Sequence, residues 1–342
     1  MKIIVDAFGG DNAPDEIIKG CAQAMDAYGI GIVLAGNRDI IQKAAKRLEL
    51  EAAVSKMEIF HCIDTLSMED EPGSVLKEKR ESSMATGLRA LSEGTGDAFA
   101  SAGNSGALVV GSTMIVKRIK GIKRVTFAPL LPKMEGFFML SDGGANNECR
   151  PVMLQQFAIM ATEYMTRVMG MQNPRVGLIN VGEESHKGDA LRLSTYKLLQ
   201  KTPGINFIGN IEGRDLAFDA ADIAITDGFN GNVVLKVYEG VAGAVMGRIK
   251  SVFSKSVKNK LAAAAVMGDL RALKKEMDYN EYGGAPIMGA QKPVFKIHGS
   301  AKANTVKNAL RLTKAYVESG IADVIADALT KTKSTGGDHE AD

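Results

Sequence analysis

The sequence predicts an α/β protein: a largely parallel sheet with helices on both faces. Three observations carry that reading. Short continuous apolar runs alternate with amphipathic segments along most of the chain. The apolar runs end in loops rich in glycine, aspartate and asparagine. One apparent antiparallel insertion interrupts the rhythm near the middle. The 342 residues fit one large unit or two smaller lobes, and such a chain buries a sizeable core without disulfides or metal clips. We expect a single catalytic domain over 1–330, followed by a polar tail, 331–342.

Ile3–Phe8 is a short apolar run that opens the sheet, and Gly9-Gly10-Asp11-Asn12-Ala13-Pro14 is a dense turn signal. Pro14, Asp15 and Glu16 suit the first turn of a helix running to Gly29, with acids at its positive dipole end. Gly31–Ala35 is the next strand, Arg38–Leu48 a helix, Glu58–Ile63 a strand, Ser82–Ser92 a helix and Asp97–Ala102 a strand. Ala98–Val116 lacks any charged residue, but Ser101, Asn104, Ser105, Ser112 and Thr113 make it too polar for a membrane span. It reads as a buried strand, a polar loop and a helix start. Val125–Lys133 and Gly136–Ser141 flank Met134-Glu135 as a hairpin. Alternation resumes with a helix at Pro151–Met169, a strand at Arg175–Val181 and a helix at Asp189–Lys201. Strands at Ile205–Gly209 and Asp222–Asp227 precede a helix from Asn232; a last strand, Pro293–His298, precedes a closing helix, Lys302–Ser319.

Between these, about 245–280, the character changes. Arg248 to Lys275 holds eight basic residues and one acid, Asp269. Ile249, Phe253 and Val257 recur at four-residue spacing, and Leu261–Met267 is apolar. This predicts a basic helical hairpin with an apolar tip, standing off the sheet.

Composition excludes several classes. Glycine is plentiful, 37 of 342, against a usual share of roughly 7 %, yet no Gly-X-Y period is present. The net charge of +2 gives no global argument for nucleic acid, which we do not expect as a partner. Three distant cysteines, Cys21, Cys62 and Cys149, form no disulfide framework and fit a reducing, cytoplasmic compartment. The start, Met1–Asp6, reads as a strand rather than a targeting segment. Gly-x-Gly-x-x-Gly, Walker A and His-Glu-x-x-His patterns are missing, and Gly103-Asn-Ser105-Gly106-Ala107 narrowly fails the Gly-x-Ser-x-Gly elbow. We expect no metal and no cofactor.

Six polar loops follow apparent strands: Asp6–Asn12, Gly103–Gly106, Asp142–Asn146, Gly182–Gly188, Gly209–Asp215 and Asp227–Asn232. Loops at strand carboxyl ends gather on one edge of a parallel sheet, where ligands bind. Glycine-rich turns offer backbone N–H groups to anions, which suits phosphate or a developing oxyanion. Taken singly, each loop reads as readily as a tight turn.

Five motifs then carry a resemblance. Asp6-Ala-Phe-Gly-Gly-Asp-Asn-Ala-Pro14, Asp142-Gly-Gly-Ala-Asn146, Gly209-Asn-Ile-Glu-Gly-Arg-Asp215, Asp227-Gly-Phe-Asn-Gly-Asn-Val-Val-Leu-Lys236 and Tyr282-Gly-Gly-Ala-Pro286 resemble the bacterial acyl-ACP:phosphate acyltransferase family of phospholipid synthesis, from Met1 to about Ser319. Phe8, Lys292 and Ala301 depart from the family's usual Met, Gly and Ser. The resemblance implies a three-layer α/β/α sandwich akin to isopropylmalate dehydrogenases and phosphate acetyltransferases, assembled as a homodimer. It implies acyl-ACP and inorganic phosphate as substrates, with acyl phosphate passed to a membrane glycerol-3-phosphate acyltransferase.

Thioester phosphorolysis needs a held phosphate, a stabilised oxyanion and room for a departing thiolate. Lys187 is the candidate cation for phosphate, unless Glu183 or Glu184 claims it, with His186 as donor or proton carrier. Asn230 and Asn232 are candidates for the oxyanion or phosphate, or else serve as helix caps. Asn104 and Ser105 suit phosphate or the carbonyl. Asp6, Asn12, Asp142, Asn146 and Asp227 are expected to shape the site, and His61 to sit in the core. Arg214 either pairs with Asp215 or faces ligand. Lys255, Lys258, Lys260, Leu261 and Arg271 form the patch expected to meet acidic ACP or an anionic membrane surface, or to line a dimer interface. The rival readings are a dehydrogenase of similar architecture, a short-chain phosphate acyltransferase using acetyl-CoA, and a non-enzymatic membrane scaffold.

Overall fold

The structure is a computed structural model that describes residues 1–276 and 283–335. Tyr282, the end of the predicted hairpin at 277–280 and the tail from 336 lie outside the described residues.

The first third folds as the alternation predicts. β1 (Lys2–Asp6), α1 (Asp15–Tyr28), β2 (Gly31–Gly36), α2 (Arg38–Arg47) and β3 (Glu58–His61) follow in order, with a single turn, α3 (Glu51–Val54), before β3. Local chemistry sets the boundaries. Asp15 and Glu16 occupy the first turn of α1, and Gly29 closes it in the left-handed conformation at φ 63°. Asn37 caps α2 by accepting from the Asp39 and Ile40 amides. Ser82 caps α4 (Ser83–Ser92), which leads into β4 (Ala98–Ser101). A short helix, α5 (Ser105–Gly111), then follows and loosens into one π turn at Ser112–Val116.

The middle of the chain divides the strands between two sheets. Val125–Lys133, expected as one strand, splits into β5 (Thr126–Phe127) and β6 (Leu130–Pro132). Pro129 sits at the break and has no N–H to continue a ladder. β6 pairs antiparallel with β7 (Phe137–Ser141), as the hairpin reading requires. The chain continues through α6 (Pro151–Arg167), β8 (Arg175–Asn180), α7 (Ala190–Gln200), β9 (Asn206–Glu212) and β10 (Ile223–Ile225). These give a five-stranded sheet, β6-β7-β10-β8-β9, parallel except for β6. The remaining elements are α8 (Gly228–Ser254), α9 (Val257–Ala265), α10 (Met267–Glu276), β11 (Ala285–Met288), β12 (Val294–Lys296), α11 (Ala303–Glu318) and α12 (Ile321–Thr335). β11 and β12 return to the first sheet, ordered β3-β2-β1-β4-β12-β11-β5, which is parallel from β3 to β12.

One core joins the two sheets. Residues of β1, β4 and β12 share a buried cluster with α6, β8 and β10 of the second sheet. Phe295 meets Tyr316 edge-on with ring centres 5.4 Å apart, and Tyr316 lies 5.8 Å from Tyr164 of α6. The strands of this core are buried along almost their whole length, as the continuous apolar runs predict.

Three expectations are corrected. The proposed loop Gly209–Asp215 is mostly strand: β9 runs to Glu212, and Gly209, at φ 105°, sits at a register shift against Val176 and Gly177. The proposed loop Asp227–Asn232 is the cap and first turn of α8. His61 lies at the exposed end of β3, its Nδ1 accepting from the Arg38 amide, rather than in the core. Among the described residues no helix is long and apolar enough to cross a membrane.

Candidate active site

The strand-end loops sort onto two edges, and α8 spans between them. On the second sheet, β10 ends at the Asp227 carboxylate, which caps α8 by accepting from the Asn230 amide at 3.0 Å. One turn on, α8 presses on the loop after β7. A Cβ placed on Gly231 would lie 1.7 Å from the Asp142 carbonyl oxygen, so only glycine fits. Asn232 packs beside Gly144 of the same loop. One and two turns further, Lys236 and Glu239 act electrostatically on His298, which follows β12 of the first sheet. The first three turns of α8 therefore line a cleft between the carboxyl edges of both sheets, the usual place for ligands in such folds.

The aspartates here are consumed by the protein. Asp142 is fully buried and accepts from the amides of Phe127, Gly144, Ala145 and Asn146 and from Asn146 Nδ2. Asn146 Nδ2 also reaches the Val125 carbonyl, tying this loop to the first sheet. Asp6 is buried at the end of β1 and accepts from Ser101 Oγ at 2.7 Å and the Phe8 amide at 3.1 Å. Burial raises the carboxyl pKa of Asp6 and Asp142, although their hydrogen bonds oppose the shift. Asp227 has the opposite balance. Burial pushes it up, but hydrogen bonds from Asn230 and the neighbouring Arg192 outweigh this and hold it low. Arg192 of α7 pairs with both Asp227 and Asp189.

Each predicted ligand group then has a definite place. Asn104 caps α5 through the Ala107 amide, while its Nδ2 donates towards the carbonyls of Ser67, Met68 and Asp70. Its polar atoms serve the fold. Asn12 Nδ2 donates to the Ser300 and Ala301 carbonyls and joins the loops after β1 and β12. Asn230 is exposed, but its Nδ2 is turned onto both oxygens of Asp227, at 3.1 and 2.8 Å. That leaves Asn230 an acceptor, poorly suited to an oxyanion. Ser105 and Asn232 are exposed, as are His186 and Lys187 in the loop after β8. Among the described residues Lys187 makes no ion pair, so neither Glu183 nor Glu184 claims it. Arg214 is paired with Glu212 at 2.8 Å and approaches Asp215 at 3.8 Å.

Sequence reading missed three groups: Arg192, Lys296 and the part taken by His298. The Ser300 amide donates to His298 Nδ1 at 3.3 Å, and Ser300 Oγ lies 2.9 Å away. Nδ1 is thus engaged by the Ser300 backbone and side chain. Burial, with Lys296 and Lys236 nearby, lowers the imidazole pKa and favours the neutral form. The available signal for Lys296 was a lysine within the apolar run Pro293–His298. Lys255, Lys258, Lys260, Leu261 and Arg271 are all exposed on α9, α10 and the turn before them, remote in sequence from the cleft end of α8. Among the described residues no cluster of three His, Cys, Asp or Glu side chains is placed to hold a metal ion.

Comparison with known proteins agrees with this architecture. Residues 1–324 match the family described as fatty acid synthesis protein. A phosphate acyltransferase of Thermoanaerobacterium thermosaccharolyticum is 42 % identical over 341 residues, covering 100 % of this chain and 99 % of that protein. Another, from Acetivibrio thermocellus, is 42 % identical over 326 residues, 95 % of each. Among solved structures, a phosphotransacetylase from Streptococcus pyogenes superposes with a TM-score of 0.64 at 13 % identity. The EutD phosphotransacetylase from Staphylococcus aureus does so with 0.60 at 15 %; both alignments cover 93 % of this chain and 94 % of the other. Those two show the shared fold, while the full-length identity to the first pair shows descent: the chain belongs to the phosphate acyltransferase family.

Proposed function

We propose that this protein transfers the acyl group of an acyl-ACP thioester to inorganic phosphate, giving acyl phosphate and free ACP for phosphatidic acid and phospholipid synthesis. The observation that carries the reading is the set of exposed donors on the strand-end loops and the start of α8. Asp6, Asp142 and Asp227 are turned inward, and the strand-end loops and α8 leave Lys187, His186, Asn232, Ser105 and Lys236 exposed, beside the acids Asp11, Glu183, Glu184 and Asp189. Such a set attracts an anion and offers neutral donors to a developing oxyanion. A phosphate oxygen attacks the thioester carbonyl, the tetrahedral oxyanion collapses, and the C–S bond breaks. The thiolate leaves to take a proton from solvent or from a cleft imidazole. Phosphate is already an anionic nucleophile near neutral pH, so holding it in line accounts for much of the catalysis.

The surroundings support the remaining parts. Phe229, Val233, Val237, Val241 and Val245 recur every four residues on α8 and are all exposed. A second copy of the chain is the proposed cover for that stripe, giving a homodimer. The exposed lysines and Arg271 beyond it suit acidic ACP, and Leu261 with Val257 suits the inner, anionic face of the cell membrane. There the product would reach a membrane glycerol-3-phosphate acyltransferase.

The test is phosphate-dependent release of free thiol from palmitoyl-ACP, with Lys187→Ala beside wild type. Release that requires phosphate and drops at least tenfold in the folded variant supports the reading. Release from acetyl-CoA but not palmitoyl-ACP would replace it with a short-chain transferase, and no release from either would leave a scaffold.

A further inference from the structure

Lys296 ends β12 and is only 6 % exposed. Its ammonium donates to the Ala102 carbonyl at 3.0 Å and to the Ile297 carbonyl at 2.6 Å. Ala102 is the first residue past β4, and Ile297 the first past β12. These strands are parallel neighbours, with Lys296 opposite Ser101. The ammonium therefore sits where their ladder ends and staples the two exits together.

The loops that leave those exits are in close contact with the loop after β1. A Cβ on Gly9 would fall 2.5 Å from the Gly103 amide nitrogen, and one on Gly10 would fall 2.8 Å from the Gly299 carbonyl oxygen. The Asp11 amide donates to that same carbonyl at 2.8 Å. A movement at either exit is thus passed directly to Gly103–Ser105 on one side and His298–Ser300 on the other.

A buried cation is costly unless something requires it. Among the described residues no carboxylate oxygen lies within ion-pair distance of Lys296 Nζ. Asp6 from β1 and Asp11 from its loop act on it only through space, and Lys236 from α8 opposes them. His298 flanks it on its own loop. A methionine would fill the same volume without the desolvation, but would leave two buried carbonyls unsatisfied. The lysine supplies both donors, and its charge lies beside the loops at the carboxyl edge of the first sheet.

We propose that Lys296 is a positioning residue for the acyl transfer, stapling the exits of β4 and β12 and so fixing the loops that carry Ser105 and His298 relative to each other. This rests on the reaction proposed above. Burial lowers the ammonium pKa to about 8, against the pull of Asp6 and Asp11. The staple then loosens in the mildly alkaline range.

The experiment compares wild type with Lys296→Met and Lys296→Arg in the full-length protein, reading kcat, KM for phosphate and the kcat–pH profile from pH 6.5 to 9.5. A displacement of about 1 Å costs on the order of a hundredfold in rate. We expect that loss in kcat for K296M, with KM changed less than about threefold. We expect wild-type kcat to fall above about pH 8, and K296R, whose guanidinium stays charged, to carry that fall upward. K296M within twofold of wild-type kcat, or superimposable profiles for wild type and K296R, would overturn the proposal. Should one variant fail to fold, the other decides. A wild type without phosphate-dependent thiol release would instead sink the reaction itself, and this role with it.

Discussion

Gly231 is the narrowest point between α8 and the rest of the site, and Gly231→Ala is the most incisive perturbation available. The new Cβ would start 1.7 Å from the Asp142 carbonyl oxygen and 2.9 Å from its carbon. Both are backbone atoms, so no rotamer change relieves the clash. Asp142 cannot retreat either, because its carboxylate is fixed by the amides of Phe127, Ala145 and Asn146. An ordinary contact requires about 3.4 Å, so α8 must move outward by about 1.7 Å, the difference between those two distances. Asn232 and Lys236 ride on the same helix and move with it. Overpacking of this kind costs about 1–3 kcal/mol, offset by up to about 1 kcal/mol of helix propensity. The net cost is then up to about 3 kcal/mol, and at roughly 2–4 °C per kcal/mol for a large domain Tm should fall by up to about 12 °C. The catalytic effect should be larger, since about 1 Å of misplacement costs on the order of a hundredfold. Gly73→Ala is the control, because nothing lies within 4 Å of a Cβ there. Thermal unfolding with steady-state thiol release reads both quantities. Wild-type kcat and Tm in G231A would refute the claim that α8 must seat on the Asp142 loop.

Two further outcomes follow from the charge networks. Arg192→Ala leaves the buried Asp227 carboxylate without its guanidinium partner, and breaking such a pair costs about 3–5 kcal/mol. Denaturant unfolding should show that loss, with Arg192→Lys recovering part of it; a change below about 1 kcal/mol would contradict the reading. Asp222 accepts from Arg175 at 2.9 and 3.0 Å and from Lys133 at 3.0 Å. Burial pushes its carboxyl up, yet these bonds outweigh it and hold the pKa well below the usual carboxylate range. Its folded pKa is depressed, so its contribution is present above about pH 4 and is lost as pH falls towards the folded value. Tm measured from pH 7 down to 2.5 should therefore drop less steeply below pH 4 in Asp222→Asn, from a lower starting value.

Much of the fold was legible because its signals are local. The caps Asn37, Ser82 and Asp227, the left-handed Gly29 and the unbroken apolar strands each act within a few residues. What stayed hidden depends on distant pairing. Nothing within Val125–Lys133 says that Thr126 and Phe127 will bond to Ile287 and Met288 while Leu130 bonds to Met139. Gly209 looks like a turn because its neighbours are polar, yet strand β8 supplies a register that absorbs it as a bulge. The site divided the same way. Asp142 and Asp227 were readable as organisers of glycine-rich loops. Arg192 and Lys296 were not, since their partners lie 35 and 194 residues away.

That division bears on a tension within the sequence, whose strand-end loops, proposed to meet phosphate, are crowded with aspartate. A bare carboxylate would repel the substrate. Here the three buried ones are saturated by donors: Asp6 by Ser101 and the Phe8 amide, Asp142 by four backbone amides and Asn146, Asp227 by Asn230 and Arg192. An aspartate that accepts several N–H bonds folds a loop more tightly than an asparagine, whose NH₂ would oppose the same amides. Ser105, Asn232 and Lys187 are then left exposed with their donors unclaimed by these three acids. The buried acids thus form the frame of the loops on which the proposed anion site depends. It follows that an Asp142→Asn change should harm folding of the loop before it alters phosphate affinity, whereas Lys187→Ala should do the reverse.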